Sequence, residues 1–292
     1  MKISVWFVAI RPKTLTAAFV PVLVGTALVA ASGYSVQWNL SLFASLSAFC
    51  IQSGTNLFND ALDFKKGADT TARLGPLRVT QGQLLSYKEV WVGALFCFAL
   101  AVAFAIPLIF QGGWPIIIIG ILALLFGYAY TGGPFPLSYL GFGDLFVLLF
   151  FGLIATGGTF FLHTGWWSLE SLVAGLQIGF LATVLIAINN LRDVQTDRQV
   201  NKKTIAVRFG VAFSKKEIFF LLTAPFLLGF FWMMRGYVLA ALLPIVSLSV
   251  VVSLIRGIYS NSPSAIYNQF LEKAALLHLM FGLLLAIGLF LE

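Results

Sequence analysis

Five of the eleven acidic residues in this chain are crowded into two short segments. The first reads Asn59-Asp60-Ala61-Leu62-Asp63, with Asp69 beyond it, and the second reads Asn189-Asn190-Leu191-Arg192-Asp193, with Asp197 beyond it. Each begins where a long apolar stretch gives way to polar sequence. Residues four apart share a helix face, so Asn59 aligns with Asp63, and Asn189 aligns with Asp193 and Asp197. Carboxylates without nearby His or Cys suit a hard cation, and Mg²⁺ typically takes one or two protein carboxylates, several waters and phosphate oxygens. The Lys and Arg residues of the same segments then match the remaining phosphate charge. A diphosphate held through Mg²⁺ meets both demands, and two facing clusters would stabilise the charge that develops as it departs. The residues alone also allow a plainer reading, in which the Asp residues cap helices or solvate loops beside Lys and Arg.

The elements that must position these segments are written in the composition. Of the 292 residues, 60% are hydrophobic and 10% charged, against about 25% charged in a soluble domain. Apolar stretches at 14–33, 38–58, 88–110, 114–131, 141–162, 169–190, 216–234, 237–255 and 274–291 approach the roughly 20 residues that a bilayer-spanning helix needs. They lack the period-2 alternation of an outer-membrane barrel. The expected fold is all-α: one polytopic domain over 1–292, nine transmembrane helices around a central cavity, with polar loops at 59–87 and 190–215. Seventeen of the 18 Lys and Arg then fall on one side, Arg235 alone on the other. The positive-inside rule puts the N-terminus and both acidic loops in the cytoplasm and the C-terminus outside, in an inner-membrane protein. The net charge of +7 follows from that bias and calls for no nucleic acid.

The two loops resemble each other. After its acidic cluster each has basic residues, an Arg-x-Gly step (Arg73-Leu74-Gly75 and Arg208-Phe209-Gly210), and a Ser-x-x-Glu sequence (Ser86 to Glu89 and Ser214 to Glu217). That last pattern is a capping box expected to open the next helix. A pseudo-repeat of this kind brings two half-bundles to one cavity. It is also compatible with a membrane transporter, although both acidic clusters lie toward one face.

The pattern Asn59-Asp60-x-x-Asp63 with Lys65-Lys66-Gly67-x-Asp69, followed by Asn189-Asn190-Leu191-Arg192-Asp193-x-x-x-Asp197, resembles the two aspartate-rich motifs of the UbiA-type intramembrane prenyltransferases. Arg11-Pro12-Lys13-Thr14, Arg73-x-Gly75-Pro76-Leu77-Arg78, Tyr130-Thr131-Gly132 and Gly141-x-Gly143-Asp144 look like the branch of that family that works in menaquinone synthesis. The most specific stretch is the second motif with Lys202-Lys203-Thr204-x-Ala206-Val207-Arg208-x-Gly210. The resemblance implies a central cavity with a lateral opening in which an isoprenoid tail lies, and Mg²⁺-dependent binding of a polyprenyl diphosphate. It implies alkylation of 1,4-dihydroxy-2-naphthoate with loss of diphosphate and CO₂, giving demethylmenaquinone. Hydroxybenzoate and porphyrin are the alternative acceptors. In this reading Asp60, Asp63, Asp69, Asp193 and Asp197 ligate Mg²⁺ directly or through water, and Asn59 and Asn189 supply amide oxygens. Lys66, Arg78, Arg192, Lys202 and Lys203 face the diphosphate, and Arg11 faces the acceptor carboxylate. Tyr130 is a further catalytic candidate, although Pro134 stands where related hydroxybenzoate enzymes carry a Lys. Asn201 takes a position often held by Gly, which Asn tolerates because it also adopts turn conformations.

Other signals point to packing. Cys50 and Cys97 sit in apolar runs with no metal-binding spacing, as buried free thiols do. His163 lies beside Trp166 and Trp167 in the position of an interfacial aromatic belt. His278 has no second His or Cys nearby in the last apolar stretch and reads as a packed polar group.

Overall fold

The computed structural model describes residues 2–68 and 74–292, and all of their regular structure is helical. Asp69 and Arg73 lie outside the described residues. The helices are α1 (Lys2–Ile10), α2 (Pro12–Ala31), α3 (Trp38–Lys65), α4 (Tyr87–Ala129), α5 (Leu137–Leu140), α6 (Gly143–Thr164), α7 (Leu169–Arg192), α8 (Val194–Gln199), α9 (Ile205–Met234), α10 (Val238–Ser260) and α11 (Tyr267–Leu291). Seven of these segments are long and apolar enough to cross a bilayer, which makes this an integral membrane protein.

The nine expected spans map onto the helices with two differences. Spans 88–110 and 114–131 form one run, α4, interrupted where Gly113 leaves helical geometry at φ 64° and ψ −150°. Only Gly takes such a conformation at little cost, and Pro115 just beyond it restarts the helix without needing the lost N–H. Span 38–58 is helical and continues to Lys65, but α3 is not among the seven because Ser, Asn, Gln and Asp dilute its apolar face. Several of those polar groups are buried, Ser47 against the carbonyl of Ala101 at 3.0 Å, for instance.

Helix starts follow local chemistry. The Ser86 box forms: Ser86 Oγ accepts from Glu89 N at 3.2 Å and Glu89 Oε2 accepts from Ser86 N at 2.8 Å. The Ser214 box does not. Thr204 caps the helix earlier by accepting from Val207 N, Gly210 at φ 83° absorbs a change of direction, and Ser214 is buried within α9. The loop expected over 190–215 is correspondingly mostly helical, and α3 carries Asp60 and Asp63 on its last turns.

The main core lies between α2, α7 and α11, where Val24, Leu28, Ile178, Leu181, Phe281 and Leu285 are shut off from solvent. α3 packs along α4. α6 meets α7 at very close range because Gly152 stands against Gly175 and Gly179, the small-residue approach that membrane helices use. A Cβ on Gly152 would lie 2.5 Å from the Gly175 carbonyl oxygen and 2.6 Å from Gly179 Cα. The middle of α6, Leu148–Ile154, is a π-helix, and its wider turn sends the pairs 146/147, 150/151 and 154/155 to the same cavity wall. An ordinary helix drifts off a four-residue repeat; the π turn holds it.

Gly152→Val should therefore lower the melting temperature in detergent by several degrees, because the clash is with backbone that has no room to yield. Gly120→Ala should leave it unchanged, since a Cβ there meets nothing within 4 Å. Fluorescence-detected thermal melting of both variants checks this.

Candidate active site

A cavity of about 690 Å³ runs between α2, α3, α4, α6 and α7. At one end it is lined by Arg11, Asn56, Asn59, Asp60, Asp63, Arg78, Tyr130, Asn189, Arg192, Asp193, Asp197 and Lys202, and away from that end by residues such as Ile116, Ile119, Ala123, Phe150, Ile154 and Leu162. The two acidic motifs thus meet in one space. Of the expected site residues in the described chain, Lys66 and Lys203 alone do not line it.

Each acidic side chain is held differently. Asp60 accepts from the backbone N–H groups of Val79 at 3.2 Å and Thr80 at 3.1 Å, so it pins the turn that carries Arg78. Asp63 receives Arg78 Nη1 on Oδ2 at 2.8 Å and the Tyr139 hydroxyl on Oδ1 at 2.9 Å. Arg78 also donates to the carbonyl of Asn59 at 2.9 Å. Asp193 is gripped by a two-pronged Arg192, Nε to Oδ1 at 2.8 Å and Nη2 to Oδ2 at 2.5 Å. Such a fork is the strongest way to hold a carboxylate. Arg192, at 1% side-chain exposure, spends its other donors on Asn189 Oδ1 at 2.8 Å and Asn268 Oδ1 at 2.7 Å. The structure therefore commits Arg192 to the motif itself. Removing one member of a buried pair like this costs about 3–5 kcal/mol.

Asp193 ends α7 with φ −93° and ψ 10°, so Asn189, Asp193 and Asp197 do not share one unbroken helix as their spacing implied. The Asp197 N–H bonds to the Asp193 carbonyl at 2.8 Å across the break and preserves the alignment. Asp197 Oδ1 lies 3.6 Å from Lys202 Nζ. Burial pushes the Asp197 carboxyl up to about 6, against the opposing pull of Lys202 and with a further push from Asp193 and Asp63. Asn201 sits at φ 55°, the turn geometry expected of it, and reverses the chain before Lys202. Lys203 is exposed, and its backbone N–H bonds to the carbonyl of Tyr139 at 2.8 Å.

Lys66 Nζ donates to the Thr131 carbonyl at 2.5 Å. Burial lowers the proton affinity of this ammonium, Asp63 opposes that, and Lys202 adds to it. Tyr130 closes the end of α4 and lines the cavity, its ring 6.0 Å from that of Phe146. Phe146 and Phe150 also meet Phe126 edge-on, at 5.8 and 5.6 Å, so rings fill the space between α4 and α6. Arg11 takes φ 54° where α1 turns into α2, a costly conformation for a non-Gly residue. The turn is fixed by Asn56 Nδ2, which donates to the Ile10 carbonyl and to Thr14 Oγ1, both at 2.9 Å. His278 is fully buried in α11, as expected of a packed polar group.

Two residues of the site escape a reading of the motifs. Asn268, at the start of α11, joins Arg192 to the first loop by donating Nδ2 to the Leu74 carbonyl at 2.9 Å. Its only signal is a polar stripe with Glu272 one turn on, which also lines the cavity. Tyr139 carries no signal, being one aromatic among many.

The profile of the UbiA prenyltransferase family matches residues 18–289. A Bacillus subtilis protein named 1,4-dihydroxy-2-naphthoate octaprenyltransferase is 32% identical over 286 residues, 96% of this chain and 90% of the relative. A Mycobacterium tuberculosis protein of the same name is 36% identical over 211 residues, covering 71% of this chain and 70% of that one. Among solved structures, a UbiA homolog from Archaeoglobus fulgidus bound to DMAPP and Mg²⁺ superposes with a TM-score of 0.64 at 15% identity, over 97% of this chain and 99% of that one. That likeness is one of fold. On the extent of the profile match and of the Bacillus relative, the chain belongs to the UbiA prenyltransferase family.

Proposed function

We propose that the protein transfers a polyprenyl group from polyprenyl diphosphate to 1,4-dihydroxy-2-naphthoate with loss of diphosphate and CO₂, giving demethylmenaquinone in its reduced, quinol form. The observation that carries this reading is that Asp63 and Asp193, far apart in sequence, line one cavity whose remainder is largely apolar. The names of the naphthoate relatives support the acceptor, and the metal and allylic diphosphate bound to the archaeal homolog support the donor. By the positive-inside rule the acidic end faces the cytoplasm, with the C-terminus outside the inner membrane.

The donor set fits Mg²⁺. It consists of oxygens, and among the described residues Asn59 Oδ1 and Asp197 Oδ2 are buried without a hydrogen-bond partner. No three carboxylate, His or Cys groups converge among those residues, which suits a cation that keeps several waters and takes phosphate oxygens. Asp63 and Asn59 on one side and Asp193, Asp197 and Asn189 on the other would hold it directly or through water, rather than as one cluster of three carboxylates, with Asp60 fixing the loop that brings Arg78. When bound, Mg²⁺ neutralises the diphosphate and makes it a better leaving group.

The chain's own residues do the remaining work. Lys202 and Arg78 place positive charge beside the departing oxygens. The prenyl C1–O bond breaks with its electron pair on diphosphate, the electron-rich ring carbon that bears the carboxylate forms the new bond to C1, and loss of CO₂ restores the aromatic ring. Phe146 and Phe150 keep water from the electrophilic carbon, and the apolar wall from Ile119 to Leu162 receives the tail. Arg11, at the cavity's polar end, suits the acceptor carboxylate.

Purified protein should form a lipophilic quinol from naphthoate and a long-chain prenyl diphosphate only with Mg²⁺ present, and turnover that survives EDTA would count against the reading. Asp63→Asn and Asp193→Asn should each lower turnover at least about 100-fold, on the order of 3 kcal/mol of transition-state stabilisation, with membrane insertion intact. Solute flux persisting in both, with no diphosphate consumed, would point to transport. Hydroxybenzoate and porphyrin acceptors, offered separately, should give less than a tenth of the naphthoate rate; a faster rate with either would reassign the acceptor.

A further inference from the structure

We propose that Tyr139 is a positioning residue for the diphosphate clamp, orienting Asp63 through its hydroxyl and parking Lys66 and Lys202, one from each acidic half, against its ring. This deepens the diphosphate reading above and rests on it. Tyr139 lies on α5, outside both motifs, and does not line the cavity. Its hydroxyl donates to Asp63 Oδ1 at 2.9 Å. Lys66 Nζ stands 4.3 Å from the ring centroid and Lys202 Nζ 5.7 Å from it.

The backbone around the ring is braced for that task. The carbonyl of Tyr139 accepts from Lys203 N at 2.8 Å, and Arg208 donates to the carbonyls of Leu140 at 2.7 Å and Lys203 at 3.0 Å. Gly141, at φ 80°, lies so close that a Cβ would be 2.5 Å from the Lys203 carbonyl oxygen. α5 is thus sewn to the second acidic half through its main chain and tied to the first through a side chain.

Two ammonium groups near each other repel, and in free loops they would disperse toward water. A ring face within about 6 Å attracts each of them moderately, while a phosphate oxygen attracts them more strongly through charge-assisted hydrogen bonds. The ring therefore keeps both cations near the carboxylates and releases them when an anion arrives. The hydroxyl does a separate job, since a carboxylate fixed on one oxygen presents the remaining lone pairs in one direction.

The test separates the two jobs, using the full-length protein in detergent. Tyr139→Phe keeps the ring and loses the hydroxyl. It should raise the Mg²⁺ concentration for half-maximal activity about tenfold, leaving KM for prenyl diphosphate at saturating Mg²⁺ within about twofold of wild type. Tyr139→Leu loses both and should also raise that KM about tenfold, with weaker pyrophosphate binding by calorimetry. An unchanged Mg²⁺ requirement in Tyr139→Phe, or identical constants for the two variants, would overturn the proposal. If Tyr139→Leu does not fold, Tyr139→Phe decides alone by its Mg²⁺ shift. Wild-type protein that binds no pyrophosphate at any Mg²⁺ concentration would instead sink the diphosphate reading itself.

Discussion

Charge placed where water is scarce has to be matched inside the protein, and the polar end of this bundle is organised by that demand. Asp63 answers to Arg78, Asp193 to Arg192 and Asp197 to Lys202. An ion pair at such depth gains little net stability, because desolvation offsets much of the attraction. Its worth lies in geometry. Asn268 and Asn189 satisfy the Arg192 donors that Asp193 leaves over, so a fully enclosed guanidinium has partners on every side. The two loops, α5 and the start of α11 are thereby tied together by polar contacts, in a protein whose helices are elsewhere joined mainly by close packing of apolar side chains.

That arrangement divides the cavity into a polar end and an apolar channel without any change of fold between them. α3 carries both, with Ala44 and Ala48 in the channel and Asn56, Asn59, Asp60 and Asp63 at the polar end. The same helix is too polar to rank with the seven apolar spans. Its composition reflects where it sits: a helix surrounded by protein and cavity can carry groups that a lipid-facing helix cannot. α4, by contrast, exposes much of its apolar surface, with Phe110 and Trp114 among its most open residues.

The fold class and the two acidic motifs were legible in the sequence because each rests on a strong physical contrast, apolar runs against isolated carboxylates. Where prediction and structure part, a local signal was outweighed by another. Ser214 and Glu217 have the spacing of a capping box, but Thr204 and Gly210 determine the start of α9. The equal spacing of Asn189, Asp193 and Asp197 suggested one helix, while the chain bends at Asp193. Arg192 reads as a cation available to a ligand, yet its burial could be known only once α11 was seen to deliver Asn268. Tyr139 was invisible for the same reason, since its role depends on three groups from two distant segments, Asp63 and Lys66 on one and Lys202 on the other, and none lies within a helical turn of it in sequence.

The π segment at Leu148–Ile154 also bears on how this wall can change over evolution. A π turn holds about one residue more than an α turn, so loss of a single residue there is absorbed by a return to ordinary helix, and the residues that follow keep nearly their present phase. Thr159 and Leu162, which line the channel downstream, would stay on it, whereas loss of a residue from the ordinary helix just before them, at 156–158, would rotate them off it by about 100°. Length is thus forgiving at the π turn and strict in the turns beyond it, and a descendant shortened there would need a reshaped channel rather than a repaired one.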